Sequence, residues 1–147
     1  KMSERIGQFE RAIGLVVTLN NNFAHQAAEL MSVEMTEADK ATFYIDALGL
    51  TTDEKLVDAD NEWGLKTRGL NTFNHLKELE KSATNNTSAM RDTAWQSWNV
   101  VTEYLDHGWV HNSDGTVNAK RAESSLIGTG ARIKARAWDT ITARIVA

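Results

Sequence analysis

A chain of 147 residues with 41% apolar content suits one domain with its own core. No apolar run approaches the ~18 residues of a membrane span, and the charged opening KMSERIGQFER has no signal core. Zero cysteine excludes disulfides, thiol catalysis and cysteine-ligated zinc, and it fits a cytoplasmic setting. The net charge of −4 is uneven. Glu29–Glu62 holds ten acidic and two basic residues, whereas Lys120–Arg144 holds six basic and two acidic. Such asymmetry marks a nucleic-acid surface, two regions that face each other, or ordinary solvated faces.

Zero proline suits long helices joined by short polar turns. The first predicted helix starts at a Ser3 N-cap. Ile6, Phe9, Ile13, Val16, Asn20, Phe23, Ala27 and Leu30 then follow a 3-4-3-4 spacing over about four heptads. At ~1.5 Å per residue, Ser3 to Val33 spans roughly 45 Å. Asn20 is the polar member of this seam, a position that fixes register or partner number. Leu15, Val17 and Leu19 widen the stripe toward bundle packing.

Thr36 caps a second helix, with Glu37 and Asp39 in its first turn, Phe43, Ala47 and Leu48 on its core face, and Gly49 as its stop. TTDEKLVDADNE reads as an acidic connector. A third helix is predicted over about Glu62–Lys81, SATNNTS as a loop, and a fourth helix over about Ala89–His107. HNSDGT is a turn. Asn118–Ala147 is helical around Gly128 and Gly130, either broken there or passing close to a neighbour, with a last apolar stripe of Ile133, Ala137, Trp138, Ile141 and Ile145. No segment alternates like a strand. The expected fold is all-α: a helical bundle of about five helices in one domain, residues 1–147, with a long heptad-patterned first helix.

The fourth helix carries the polar residues of interest. On a helical wheel Asn99, Glu103 and Asp106 line one edge of the apolar stripe formed by Ala94, Trp98, Val101 and Leu105. Half-buried polar groups need partners; the basic candidates are Lys120 and Arg121, and Arg121 is the expected tie. The catalytic alternative pairs Glu103 with Asp106 beside His107 as acid and base, but no nucleophile, cofactor motif or oxyanion hole accompanies them. His107 and His111 have zinc spacing, yet Gly108 and NSDG take His111 off the helix, so no metal site is expected. GTGARIK lacks the ending and the preceding strand of a P-loop, and Gly128 and Gly130 suit close helix packing.

TAWQSWNVVTEYLDH (Thr93–His107) and RAESSLIGTGARIKARAWD (Arg121–Asp139) together resemble the phage/plasmid-like proteins that carry the domain of unknown function numbered 932. The matching positions are Thr93, Ala94, Trp95, Asn99, Glu103, Tyr104, Asp106, His107, Arg121, Ser124, Gly128 and Gly130. The resemblance implies a polar network of Trp95, Asn99, Glu103, Asp106, His107, Arg121 and Ser124. It also implies a mobile-element origin and a further, strand-rich N-terminal part, this chain then being the C-terminal part of a longer protein. It brings no established activity and no cofactor.

The expected function is therefore a non-enzymatic module associated with DNA replication, recombination or annealing, or with assembly. The alternatives are an oligomerisation or virion structural module without nucleic-acid contact and, third, an enzyme using the Glu/Asp/His cluster. Candidate phosphate contacts are Lys120, Arg132, Lys134, Arg136 and Arg144, which imply weak binding of single-stranded DNA. The five Trp residues are core or base-stacking groups. The first helix is the candidate surface for a homo-oligomer. The expected location is the bacterial host cytoplasm or a virion, with no membrane contact.

Overall fold

The computed structural model describes residues 2–109, 112, 114–121, 123 and 128–146, and of residues 12–22 and 146 it describes the backbone. His111, Ser124 and the side chains of Ile13, Val16 and Asn20 thus lie outside the described residues. The fold is all-α: five α-helices of ten or more residues, among the described residues, share one core. They are α1 (Met2–Met31), α2 (Glu37–Leu48), α3 (Thr67–Glu80), α4 (Ala94–Glu103) and α5 (Thr129–Val146).

Helix α1 is 30 residues long and begins before Ser3, which is therefore inside the helix and not its cap. Its two ends differ. Ala27 and Leu30 are buried in the bundle, and Phe23 stacks on Trp138 and meets Trp95 edge-on. Ile6 and Phe9 are 52% and 67% exposed, so the heptad stripe is not an internal seam over its first turns.

Local sequence rules account for α2. Thr36 and Asp39 form the reciprocal capping box, at 3.1 Å and 3.0 Å, and Gly49 closes the helix with φ 61°. The acidic connector that follows folds back on itself. Asp53 N–H donates to the Gly64 carbonyl at 2.7 Å and Lys66 N–H donates to the Thr51 carbonyl at 3.1 Å. Buried Asn61 pins the loop from inside, accepting from Leu65 N–H and donating to the Leu65 carbonyl. Gly64 has φ 64°, and a Cβ there would stand 2.4 Å from the Asp53 carbonyl oxygen. This pairing holds residues 62–66 out of helix, so α3 starts at Thr67 and not near Glu62.

Helix α4 likewise starts late. Asp92 has φ 59°, and Thr93 is the N-cap, its hydroxyl accepting from Gln96 N–H at 3.2 Å. Met35 N–H donates to the Asp92 carbonyl and Ala94 N–H to the Val33 carbonyl, tying the end of α1 to the start of α4. Helix α4 lies at the centre, packed by α1, α2, α3 and α5. Val100, Val101 and Leu105 meet Leu30, Phe43, Tyr44, Leu76, Ala137 and Ile141 in the core. Gly128 and Gly130 sit at the start of α5, whose stripe of Ala137 and Ile141, flanked by Ile133, Trp138 and Ile145, packs as the spacing predicts.

Past Glu103 the helix continues as a π-turn over Tyr104–Gly108, closed by Trp109 N–H donating to the Tyr104 carbonyl at 2.6 Å. Gly108 permits it: a Cβ there would meet His75 at 2.9 Å and Tyr104 at 3.0 Å. No helix among the described residues is long and apolar enough to cross a membrane.

Candidate functional site

The polar residues on α4 come together, but not in the expected network. Trp95, Asn99, Glu103, Asp106 and His107 line one shallow groove with Asn85. Within it Asn99, Glu103 and Asp106 have separate ties. Asn99 donates to the Trp95 carbonyl one turn back at 2.8 Å. Glu103 accepts from buried Asn85 at 2.7 Å. Asp106 accepts from Lys134 at 2.7 Å. Arg121 takes no part: it donates to the Trp109 carbonyl at 3.2 Å, and its guanidinium lies 5.9 Å from the Trp109 ring centroid. The π-turn explains the difference, because it presents the Trp109 ring and carbonyl to Arg121. Among the described residues no three His, Asp or Glu side chains stand close enough to hold one metal ion.

The basic residues of the last section do not form one free face. Lys134 pairs with Asp106, Arg144 reaches Asp39 at 3.6 Å, and Arg136 donates to the Ala47 carbonyl at 3.2 Å. Arg132 donates to Thr129, and Lys120 is exposed beside Arg121. Three of these cations therefore tie α5 to α2 and the π-turn, and of their partners Asp39 is the one acid from the acidic segment.

A different cluster of cations surrounds a cleft of about 710 Å³ between the end of α2, the start of α3, the π-turn and α5. Lys66, Arg68 and Arg121 line it, and among the described lining residues none is a carboxylate. Leu48, Leu50, Leu105 and Ile133 form its apolar wall, and Tyr104 and Trp109 supply aromatic rings. The i→i+5 bond widens this turn beyond the 3.6 residues of an α-helix, which brings Tyr104 and Trp109 closer to one side of the chain. The Thr72 and Tyr104 hydroxyls meet at 3.5 Å on its rim.

Lys66 stands at the α3 N-cap with no side-chain cap bond, and the first turn of α3 has no acid. That end of the helix therefore adds partial positive charge to the two side chains beside it. Lys66 is brought there by the folded-back connector, through its N–H bond to Thr51. Exposed cations, aromatic rings and an open mouth can together hold an anion that carries a flat ring.

Sequence reasoning singled out Arg121 of this set and missed Lys66 and Arg68. A signal was present: KTR in the first turn of a helix without acids, directly after a strongly acidic segment.

A partly buried polar chain that the sequence did not announce links α2 to α3. Tyr44 O–H donates to Glu80 at 2.6 Å, Lys77 bridges Glu80 and Glu37, and Lys40 joins Glu37 to Asp92. Burial and the Glu80 charge push the Tyr44 hydroxyl well above its ordinary value. Burial alone would depress Lys40, but its bonds to Asp92 and Glu37 outweigh that and raise it. The Lys77 bond holds Glu37 below the usual carboxylate range. This chain joins α2 to the last turn of α3 and to Asp92, just before α4.

A family model, the domain of unknown function DUF932, matches residues 1–126. The chain belongs to the DUF932 family. The matched stretch takes in α1 to α4, the π-turn and Arg121, and stops before α5. The first part of the motif pair, Thr93–His107, thus falls inside the match, and Ile127–Asp139 falls beyond it. No curated protein and no solved structure matched the chain.

Proposed function

We propose that this DUF932 chain is a non-catalytic module that binds a segment of single-stranded nucleic acid in the cleft between α2, α3 and the π-turn. The observation that carries this reading is the convergence of Lys66, Arg68 and Arg121 with Tyr104 and Trp109 on one opening. Cations offer phosphate contacts that do not depend on sequence, and an aromatic face stacks a base at about 1–3 kcal/mol. The net charge of −4 and the acidic connector oppose long-range attraction, so the affinity is modest. Such a module suits the replication, recombination or annealing setting that the resemblance implies, in a bacterial host cytoplasm or a virion.

The catalytic alternative has less behind it. Glu103 is tied to Asn85 and Asp106 to Lys134, and the described groove residues hold no activated nucleophile beside them.

Fluorescence anisotropy with a labelled oligothymidylate tests the reading. Wild-type chain binds at low salt, Trp109→Ala binds about tenfold more weakly through loss of one stacked ring, and Arg132→Ala binds as wild type. Absence of binding, or equal loss in the Trp109 and Arg132 variants, rejects the cleft as the site. A structural reading without nucleic acid also has an observation behind it, the uncovered end of α1.

A further inference from the structure

From Met2 to Arg11 every residue of α1 except Gly7 is exposed, and among them are Met2, Ile6 and Phe9 at 77%, 52% and 67%. These three follow the 4-3 spacing of a coiled-coil seam, which in sequence continues through Ile13, Val16 and Asn20. The bundle leaves this stripe bare while it buries the same stripe at Ala27 and Leu30. A lone apolar residue on a surface is ordinary, but a heptad stripe along a projecting helix matches the surface of another helix.

We infer that the N-terminal half of α1 pairs in parallel with the α1 of a second copy of this chain. One feature selects that partner and the parallel arrangement. With Ile6 and Phe9 as the seam positions, Arg5 and Glu10 flank it, five residues apart. In a parallel two-stranded coil those flanking positions face each other across the interface, so Arg5 of each copy meets Glu10 of the other. On their own helix neither has an opposite charge three or four residues away, and neither has an ion pair among the described residues.

Sedimentation equilibrium on the full chain tests this, with three variants. The wild-type chain is a dimer that dissociates on dilution. Phe9→Asp, at a site exposed in the monomer, keeps the melting curve of the wild-type monomer and weakens association about tenfold or more. Arg5→Glu and Glu10→Arg each weaken it roughly threefold, and the two together restore it. Because the chain has no cysteine, Met2→Cys gives a disulfide-linked dimer on mild oxidation only if the two Met2 positions lie side by side. An antiparallel pair matching Arg5 to Glu10 would set them about 16 Å apart along the axis. A monomer at every concentration overturns the inference, as does a dimer that Phe9→Asp leaves intact. A dimer that Met2→Cys does not cross-link overturns its parallel arrangement. Loss of oligonucleotide binding leaves dimerisation untouched, since the cleft residues are remote in sequence from the seam.

Discussion

Replacing Gly64 by alanine tests the folded-back connector that carries Lys66 to the cleft. Two costs add. An alanine held at φ 64° is strained by about 1–2 kcal/mol. Its Cβ would also stand 2.4 Å from the Asp53 carbonyl oxygen, a backbone atom with no free rotation. Relief requires the strand-like pair to separate, which breaks the 2.7 Å bond from Asp53 N–H to the Gly64 carbonyl, worth about 1 kcal/mol. The expected loss is about 3 kcal/mol. Gly49→Ala is the internal control. Its φ of 61° is similar, but nothing lies within 4 Å of the added Cβ, so it should lose only about 1 kcal/mol. Urea denaturation followed by tryptophan fluorescence gives both values, and amide exchange at Asp53 and Lys66 reports opening of the loop alone. In Gly64→Ala these two amides should lose protection, and oligonucleotide binding should weaken as Lys66 leaves the rim. Equal stability losses in the two variants, or full protection at Asp53 in Gly64→Ala, would refute the reasoning.

Tyr44→Phe removes the donor to buried Glu80 while leaving Lys77 beside it, and should cost about 1–3 kcal/mol in thermal unfolding. Asn85→Ala removes the bonds to Glu103 and to the Leu79 carbonyl from a buried site and should cost a similar amount, whereas Glu103→Gln keeps an acceptor for Asn85 and should cost under about 1 kcal/mol. Stability should also fall at both extremes of pH. Tyr44 and Lys40 have raised values in the fold, so the folded state holds their protons longer; their contribution is complete below the ordinary values of 10.0 and 10.5 and is lost as pH rises above them. Glu37 is lowered, so its contribution is present above its ordinary 4.5 and is lost as pH falls below that value. Urea midpoints across pH check both limbs, and Tyr44→Phe should flatten the alkaline one.

Features set by neighbours in sequence were legible before the structure. Thr36, Asp39 and Gly49 fix α2 through bonds that span three or four residues, and the stripe of Ala137 and Ile141 follows from helical periodicity. Features set by distant contacts were not. The start of α3 depends on Thr51 and Asp53 pairing with Lys66 and Gly64, and α4 begins late because Asp92 is turned into a left-handed conformation. Periodicity of 3.6 set Asn99 and Glu103 on one edge of α4, and with Asp106 from the π-turn they line one groove. It failed past Glu103, where the π-turn changes the register and gives Arg121 to Trp109. The cleft was least legible, because Lys66, Arg68, Tyr104 and Arg121 come from three separate stretches that only the packed bundle brings together.

The central claim is that the cleft binds phosphates through Lys66, Arg68 and Arg121. Its most direct measurement is the salt dependence of oligothymidylate binding, for wild type and for the triple variant with all three changed to alanine. Three phosphate contacts on a single strand predict a slope of log affinity on log salt of about −2, hence roughly a 20-fold loss between 50 and 200 mM salt. The triple variant should bind far more weakly and retain almost no slope. A wild-type chain that does not bind at low salt, or a triple variant with the wild-type slope, would contradict the account.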